Sequence, residues 1–263
     1  LGSGLHSYSL TETKLTTLQK DQFINDLVNV GDHSYVLTDD ELIKLNSDFE
    51  IIKRQQLNFS LPEQIIKYNS EKLAILSNNG NIYFLDKSLK QENTYQAQDF
   101  YPKDISGYNG ALFAIDDQSL KMWNNTEFID LKTGDFEHVL QVKTSLFTSH
   151  NRSLNALNVL SQTFNADKTF SIYADDDQFW LGREGKISVF QNNKIQREII
   201  FPDPYKNTYV SSLLVHNETI YAGTMGMGIL TFNSKTGKQT GQFPDETIEV
   251  NEQNAVKLDL KDD

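Results

Sequence analysis

Glu218-Thr-Ile-Tyr-Ala-Gly-Thr-Met-Gly-Met-Gly-Ile-Leu-Thr-Phe-Asn-Ser-Lys-Thr-Gly-Lys238 is the clearest copy of a unit that recurs along the chain. It opens with a short strand, Thr219–Gly223, in which apolar and small residues alternate. A glycine-rich hairpin turn follows at Thr224–Gly228, then a second strand, Ile229–Phe232, and a polar turn at Asn233–Gly237. Gly tolerates the positive φ of tight turns, and Asn bonds its own backbone there.

The rest of the chain reads as worn copies of this unit. The others are Tyr35–Leu45, Leu73–Leu85, Leu112–Trp123, Leu146–Leu157 and Phe179–Phe190, with Ile220–Phe232 as the sixth. With Val36, Ile75, Ala114, Thr148, Leu181 and Ala222 equivalent, the steps are 39, 39, 34, 33 and 41 residues. A strand precedes each hairpin: Ile24–Val30, Gln64–Tyr68, Asp104–Tyr108, His138–Lys143, Phe170–Ala174 and Val210–His216. Another follows each: Glu50–Gln55, Lys90–Tyr95, Glu127–Leu131, Ser161–Asn165, Lys194–Ile200 and Lys238–Phe243. Four short strands per repeat, separated by Asn, Asp and Gly, are the mark of a propeller blade. No sustained 3.6-residue apolar period is present, so almost no helix is expected.

The opening Leu1–Leu10 matches Leu181–Phe190 in pattern, so the chain reads as starting inside a blade, with strands at Leu5–Leu10 and Lys14–Gln19. Thr247–Val250 and Ala255–Leu260 would complete that blade. The expectation is an all-β, seven-bladed β-propeller of four-stranded antiparallel blades, the last blade shared between the N- and C-termini. Residues 1–263 would form this single domain. Such closure removes the open edges that invite aggregation.

Composition narrows the function classes. Hydrophobic residues make up 38% and aromatics 11%, enough for a packed core. The net charge of −12 opposes attraction to nucleic acid or to an anionic membrane. With no Cys, disulfides and thiolate chemistry are excluded. No apolar run approaches a spanning helix. The first residues, Leu1–Gly4, include no Met, so the chain is expected to be a segment of a longer, membrane-anchored protein.

No catalytic, cofactor or metal motif stands out. The five His (His6, His33, His138, His150 and His216) show no helical i, i+4 pair. Asp175-Asp-Asp177 lacks the spacing of a calcium loop and reads as an acidic turn. Gly223–Gly228 is followed by no helix and reads as turn rather than phosphate cradle.

Propeller geometry puts the hairpin turns between second and third strands on one face, beside the links to the next blade. The candidate ligand-binding residues there are Asp39, Asn79, Asp117, Asn151, Arg152, Arg183, Tyr205 and Met225. Phe100, Tyr101, Tyr205 and Tyr209 lie in the links. Exposed rings beside amides and carboxylates suit a sugar or a peptide, and buried rings would instead seal the packing between blades.

Phe179-Trp-Leu-Gly-Arg-Glu-Gly-Lys-Ile-Ser-Val-Phe190, Tyr221–Lys238 and the opening decapeptide resemble the two-component regulator propeller repeat. That resemblance implies the extracytoplasmic sensor of a bacterial membrane kinase or cyclase, some of which detect oligosaccharides. The Gly-Thr and Thr-Gly-Lys elements are similar also to PQQ-type repeats, which include an assembly lipoprotein. The family carries no fixed catalytic residues. The expectation is therefore a non-enzymatic, periplasmic or extracytoplasmic sensor without cofactor. Its partner would be a small molecule, an oligosaccharide among them, or a peptide, with a homodimer as the assembly. The alternatives are a protein-binding scaffold and a propeller enzyme acting on sugars or lactones.

Overall fold

In the computed structural model, residues 4–9, 14–20, 23–142, 145–150, 153–156, 163–165, 169–175, 178–191 and 194–243 are described. The chain divides into two compact units, one centred on Gly4–Asn151 and the other on Gln162–Asp263.

In the first unit, β1 (Gly4–Ser9) and β2 (Lys14–Lys20) form a two-stranded sheet. The first blade is β3 (Ile24–Val30), β4 (His33–Thr38), β5 (Glu41–Leu45) and β6 (Ile51–Gln56). The second is β7 (Pro62–Lys67), β8 (Lys72–Ser77), β9 (Ile82–Asp86) and β10 (Gln91–Tyr95). The third is β11 (Asp104–Tyr108), β12 (Ala111–Ile115), β13 (Ser119–Trp123) and β14 (Phe128–Thr133). A further sheet orders β15 (His138–Val142), β16 (Ser145–His150), β17 (Ser153–Ala156) and β18 (Thr163–Asn165), of which β15 and β16 belong wholly to this unit. The second unit holds two blades. One is β19 (Ser171–Asp175), β20 (Gln178–Arg183), β21 (Lys186–Gln191) and β22 (Lys194–Ile200). The other is β23 (Val210–His216), β24 (Thr219–Thr224), β25 (Ile229–Asn233) and β26 (Gln239–Phe243). Strands follow one another in sequence order and pair antiparallel, as short hairpin links dictate. The one helical turn among the described residues is the 3-10 turn Tyr205–Asn207.

The expected seven-bladed count is corrected. Five blades are four-stranded with every strand pairing described: β3–β6, β7–β10, β11–β14, β19–β22 and β23–β26. For the β15–β18 sheet only the β15–β16 register is described. The blade expected to be shared between the termini is not found among the described residues. Among the described residues β1 and β2 pair with each other, and residues 244–263 lie outside the described residues. A pattern match between the opening decapeptide and Leu181–Phe190 predicts a hairpin, which β1 and β2 do form. The two strands expected at Thr247–Val250 and Ala255–Leu260 to complete that blade lie outside the described residues.

Burial explains the sequence pattern. First strands pack on the first strands of the next blade, β3 on β7, β7 on β11 and β11 on β15 in one unit, and β19 on β23 in the other. Second strands are covered on both faces, which is why Leu73-Ala-Ile-Leu76 is a continuous apolar run with no side chain more than 1% exposed. Each such Leu or Ile contributes about 1.5–3 kcal/mol by leaving water. Fourth strands lie outermost, and all six residues of β6 are exposed.

Apolar clusters fill the seams. Leu37, Leu42, Ile65 and Ile75 join the first two blades, and Ala74, Phe84, Ile105 and Trp123 the next two. Trp180, Ile187, Leu230 and Phe232 do the same in the second unit. The turn after β9 reaches the first blade, where the Tyr35 hydroxyl and the Lys44 ammonium both donate to the Lys87 carbonyl, at 3.0 and 3.1 Å. Burial there raises the Tyr35 phenol above its usual range and lowers the Lys44 amine.

The turns between third and fourth strands are pinned by one device. Asn46, Asp86, Asn124 and Asn233 each accept backbone N–H groups two to four residues on through Oδ1. Elsewhere the backbone is strained. Leu61, just before β7, has φ +56° and is 59% exposed. A left-handed L-residue costs about 1–2 kcal/mol, against about 0.5–1 kcal/mol for the extra freedom glycine brings to the unfolded chain. Leu61→Gly is thus expected to raise stability by about 0.5 kcal/mol at unchanged m-value in urea denaturation. A loss of stability would show that the side chain makes contacts worth more than its strain.

Candidate functional site

Alignment of the blades brings one position of the first strand into register. Asp26 faces Leu37, Gln64 faces Leu76, Asp104 faces Ile115, His138 faces Ser149 and Ser171 faces Gly182. All these are polar, and each of the first three grips the next blade. Asp26 Oδ2 accepts the Ile65 N–H at 2.9 Å. Gln64 Oε1 accepts the Ile105 N–H at 3.0 Å while its Nε2 donates to the Ile105 carbonyl at 3.1 Å. Asp104 Oδ2 accepts the Val139 N–H at 3.0 Å. In the second unit Ser171 Oγ donates to the Val210 carbonyl at 2.8 Å. These side chains satisfy backbone groups that a seam between sheets would leave unpaired.

Around three of these positions, in the first unit, lies an open pocket of about 380 Å³ lined by Glu63, Gln64, Leu76, Lys103, Asp104, Glu137 and His138. Its polar lining comes as adjacent pairs at the starts of three successive first strands. That repetition follows from the blade repeat: one register position, copied, yields convergent polar side chains. Lys103 is ion-paired with Asp117. His138 Nδ1 lies 3.4 Å from Asp104 Oδ2. The Asp104 carboxylate, opposed by burial and helped by Glu137, holds the imidazole pKa above its ordinary 6.5.

The residues expected from sequence fall as follows. Asp39 accepts from Asn25 Nδ2 at 3.1 Å, and Asp117 meets Lys103, so these two hairpin turns stand at the end of the blades where the first strands begin. Asn79 caps its own turn, accepting from Ser77 Oγ at 2.6 Å and from the Asn81 N–H at 3.1 Å. Asn151 and Arg152 lie outside the described residues. In the second unit Arg183 ends β20 and pairs in register with Lys186. Tyr205 donates its hydroxyl to Gln242 and packs on the apolar cluster. Met225 is 62% exposed at its hairpin tip, its N–H donating to the Tyr209 carbonyl at 3.1 Å.

Of the link aromatics, Phe100 is buried in a seam, whereas Tyr101 is exposed and Tyr209 packs edge-to-face on the exposed Phe170 at 4.9 Å. Sequence reasoning missed Glu63, Gln64, Lys103, Asp104, Glu137 and His138 as a group. The available signal was the polar pair recurring just before each apolar first strand. Among the described residues no group of three or more His, Asp or Glu side chains could hold a metal ion. Among them, too, no helix is long and apolar enough to cross a membrane.

No protein-family model matches the chain, and no curated protein matches it by sequence. Solved structures do match it. The extracellular domain of a proposed hybrid two component system from B. thetaiotaomicron superposes with a TM-score of 0.66 at 13% identity, covering 90% of this chain and 35% of that one. The WD40 repeats of RRP9 give 0.64 at 13% identity over 85% of this chain and 81% of theirs. The computationally designed protein Ika8 gives 0.63 at 9% identity, over 89% and 76%. At such identities the likeness is one of fold, and the fold of this chain is a β-propeller of repeated four-stranded blades.

Proposed function

We propose that this chain is a non-catalytic ligand-binding propeller, the extracytoplasmic sensing part of a bacterial signal-transduction protein. The observation that carries the reading is the open pocket of about 380 Å³, into which three blades each send a pair of polar side chains. Convergent polar groups in a preformed concavity are what a small polar ligand needs. The repeat resemblance at Phe179–Phe190 and Tyr221–Lys238, and the fold likeness to the extracellular domain of a two-component protein, support the signalling context. A small molecule, an oligosaccharide among them, or a peptide would dock at the pocket and the hairpin turns carrying Asp39 and Asp117. The net charge of −12 disfavours nucleic acid as partner. Binding across the seams would shift one blade against the next and pass the signal on, in a homodimer, through the blade edges.

A thermal-shift screen against sugars, peptides and amino acids tests this. A true ligand at about 100 times its Kd adds about 2.7 kcal/mol, which for a chain of this size raises Tm by about 5–10 °C. Glu63→Ala with Glu137→Ala, both exposed on the pocket, is expected to remove that shift while leaving the ligand-free Tm within about 1 °C. Absence of any small-molecule shift would favour the scaffold alternative, for which the fully exposed β6 offers a pairing edge.

A further inference from the structure

The grips between blades are alike in register but not in chemistry. Gln64 does not titrate, and Asp26 is buried with its carboxylate on two backbone N–H groups, of Leu27 and Ile65. The third grip is different because the next blade puts an imidazole at the same register position. Asp104 Oδ2 therefore serves two partners, the Val139 N–H at 3.0 Å and His138 Nδ1 at 3.4 Å. Both partners belong to β15, so this one oxygen ties the start of β11 to the start of β15. Asp104 and His138 also line the pocket.

We propose that Asp104 and His138 form a proton-operated latch on the pocket rim, closed when the imidazole is charged and loosened when it is neutral. In the charged state the imidazolium and the carboxylate, 3.4 Å apart, attract each other as an ion pair. In the neutral state that attraction is lost, and one tautomer turns a bare lone pair toward the carboxylate oxygen. Either way Asp104 holds β15 less firmly.

The surrounding groups set the balance. Glu137, just before the same strand, favours the charged ring, and Glu63 at the start of β7 lines the same pocket. Lys103 opposes the charged ring, but is itself engaged by Asp117. From β16 the neighbour is Ser149, whose Oγ accepts the His138 backbone N–H at 2.9 Å and does not titrate. Losing the proton leaves Glu63, Asp104 and Glu137 balanced by Lys103 alone, so the latch also makes the pocket more negative as pH rises. The consequence for a ligand rests on the docking role proposed above. The latch itself is read on the ligand-free protein, so a failed ligand screen leaves it standing.

The direction is fixed by linkage. A histidine whose pKa is raised on folding contributes its stabilisation in full below 6.5, and loses it as pH climbs through the folded-state pKa. The experiment is ring NMR titration of His138 together with the amide-exchange protection factor of Val139, in the wild-type chain and in His138→Gln. The ring is expected to titrate above 6.5. Val139 protection is expected to fall about twofold to fivefold between pH 6 and pH 8.5 in the wild type, the range of a half-exposed ion pair. In His138→Gln it should be flat over that range. Asp104→Asn should bring the ring pKa down. A ring titrating at or below 6.5, or Val139 protection with the same pH course in both proteins, overturns the latch.

Discussion

Replacing Gly185 by alanine is expected to cost about 3 kcal/mol. The residue sits between β20 and β21 with φ +64°, and a Cβ there would lie 1.9 Å from the Lys206 carbonyl oxygen. Backbone, not a yielding side chain, blocks the site. The Gly185 N–H donates to the Thr208 carbonyl at 2.8 Å, and its own carbonyl accepts the Phe201 N–H at 2.9 Å, so the turn is tied on both sides and cannot swing away. The left-handed conformation alone accounts for about 1–2 kcal/mol. The forced displacement of the Tyr205–Asn207 turn adds about 1–3 kcal/mol more. Gly31 is the control: its φ is +58°, but a Cβ there would meet nothing within 4 Å, so Gly31→Ala should carry the conformational part only, about 1 kcal/mol. Urea midpoints of the two variants make the comparison. Equal losses would mean that the close approach to Lys206 does not exist.

The same glycine shows how far the sequence can be read. The Leu181-Gly-Arg-Glu-Gly185 element announces a hairpin, because only a repeat of turns and short strands places glycines there. The structure adds why both are needed: a Cβ on Gly182 would meet Ser171 Oγ at 2.2 Å and Val210 at 2.6 Å. Those partners lie on other strands, and no spacing within the hairpin reveals them.

Strands are legible because burial imposes pattern. β8 and β12 are covered on both faces and read as apolar runs, while β6 and β14 lie outermost and mix polar with exposed apolar residues. Blade count is less legible, since a hairpin such as β1–β2 looks alike in sequence whether or not two further strands join it. The pocket is hardest. Asp39 and Asp117 stand out in the sequence for their turns, and their nearest polar partners prove to be Asn25 and Lys103, at the starts of first strands. Asn79 looks like a site residue because turn-capping and ligand-binding favour the same side chain. The polar pairs of the rim convey their meaning only once the registers of separate blades are laid side by side.

Those registers lead to the second large effect. Asp26→Ala is expected to cost about 3 kcal/mol. The carboxylate is only 6% exposed and accepts two N–H groups, of Leu27 at 2.8 Å and of Ile65 at 2.9 Å. Hydrogen bonds to a charged group contribute about 1.5–3 kcal/mol, and the Ile65 donor, itself buried, would be left without an acceptor. Asp26→Asn keeps an acceptor oxygen in place and should recover more than half of that loss. Gln64→Ala removes a neutral pair of bonds to Ile105 and should cost less, about 1–2 kcal/mol. The two sites are not independent, because Ile65, held by Asp26, is the chain neighbour of Gln64. If the grips pass register from seam to seam, the double variant departs from additivity by about 0.5–1 kcal/mol. Denaturation of the two single variants and the double variant measures that term directly. Strict additivity would mean that each seam is held separately, and that a shift at one blade stops there rather than reaching the next.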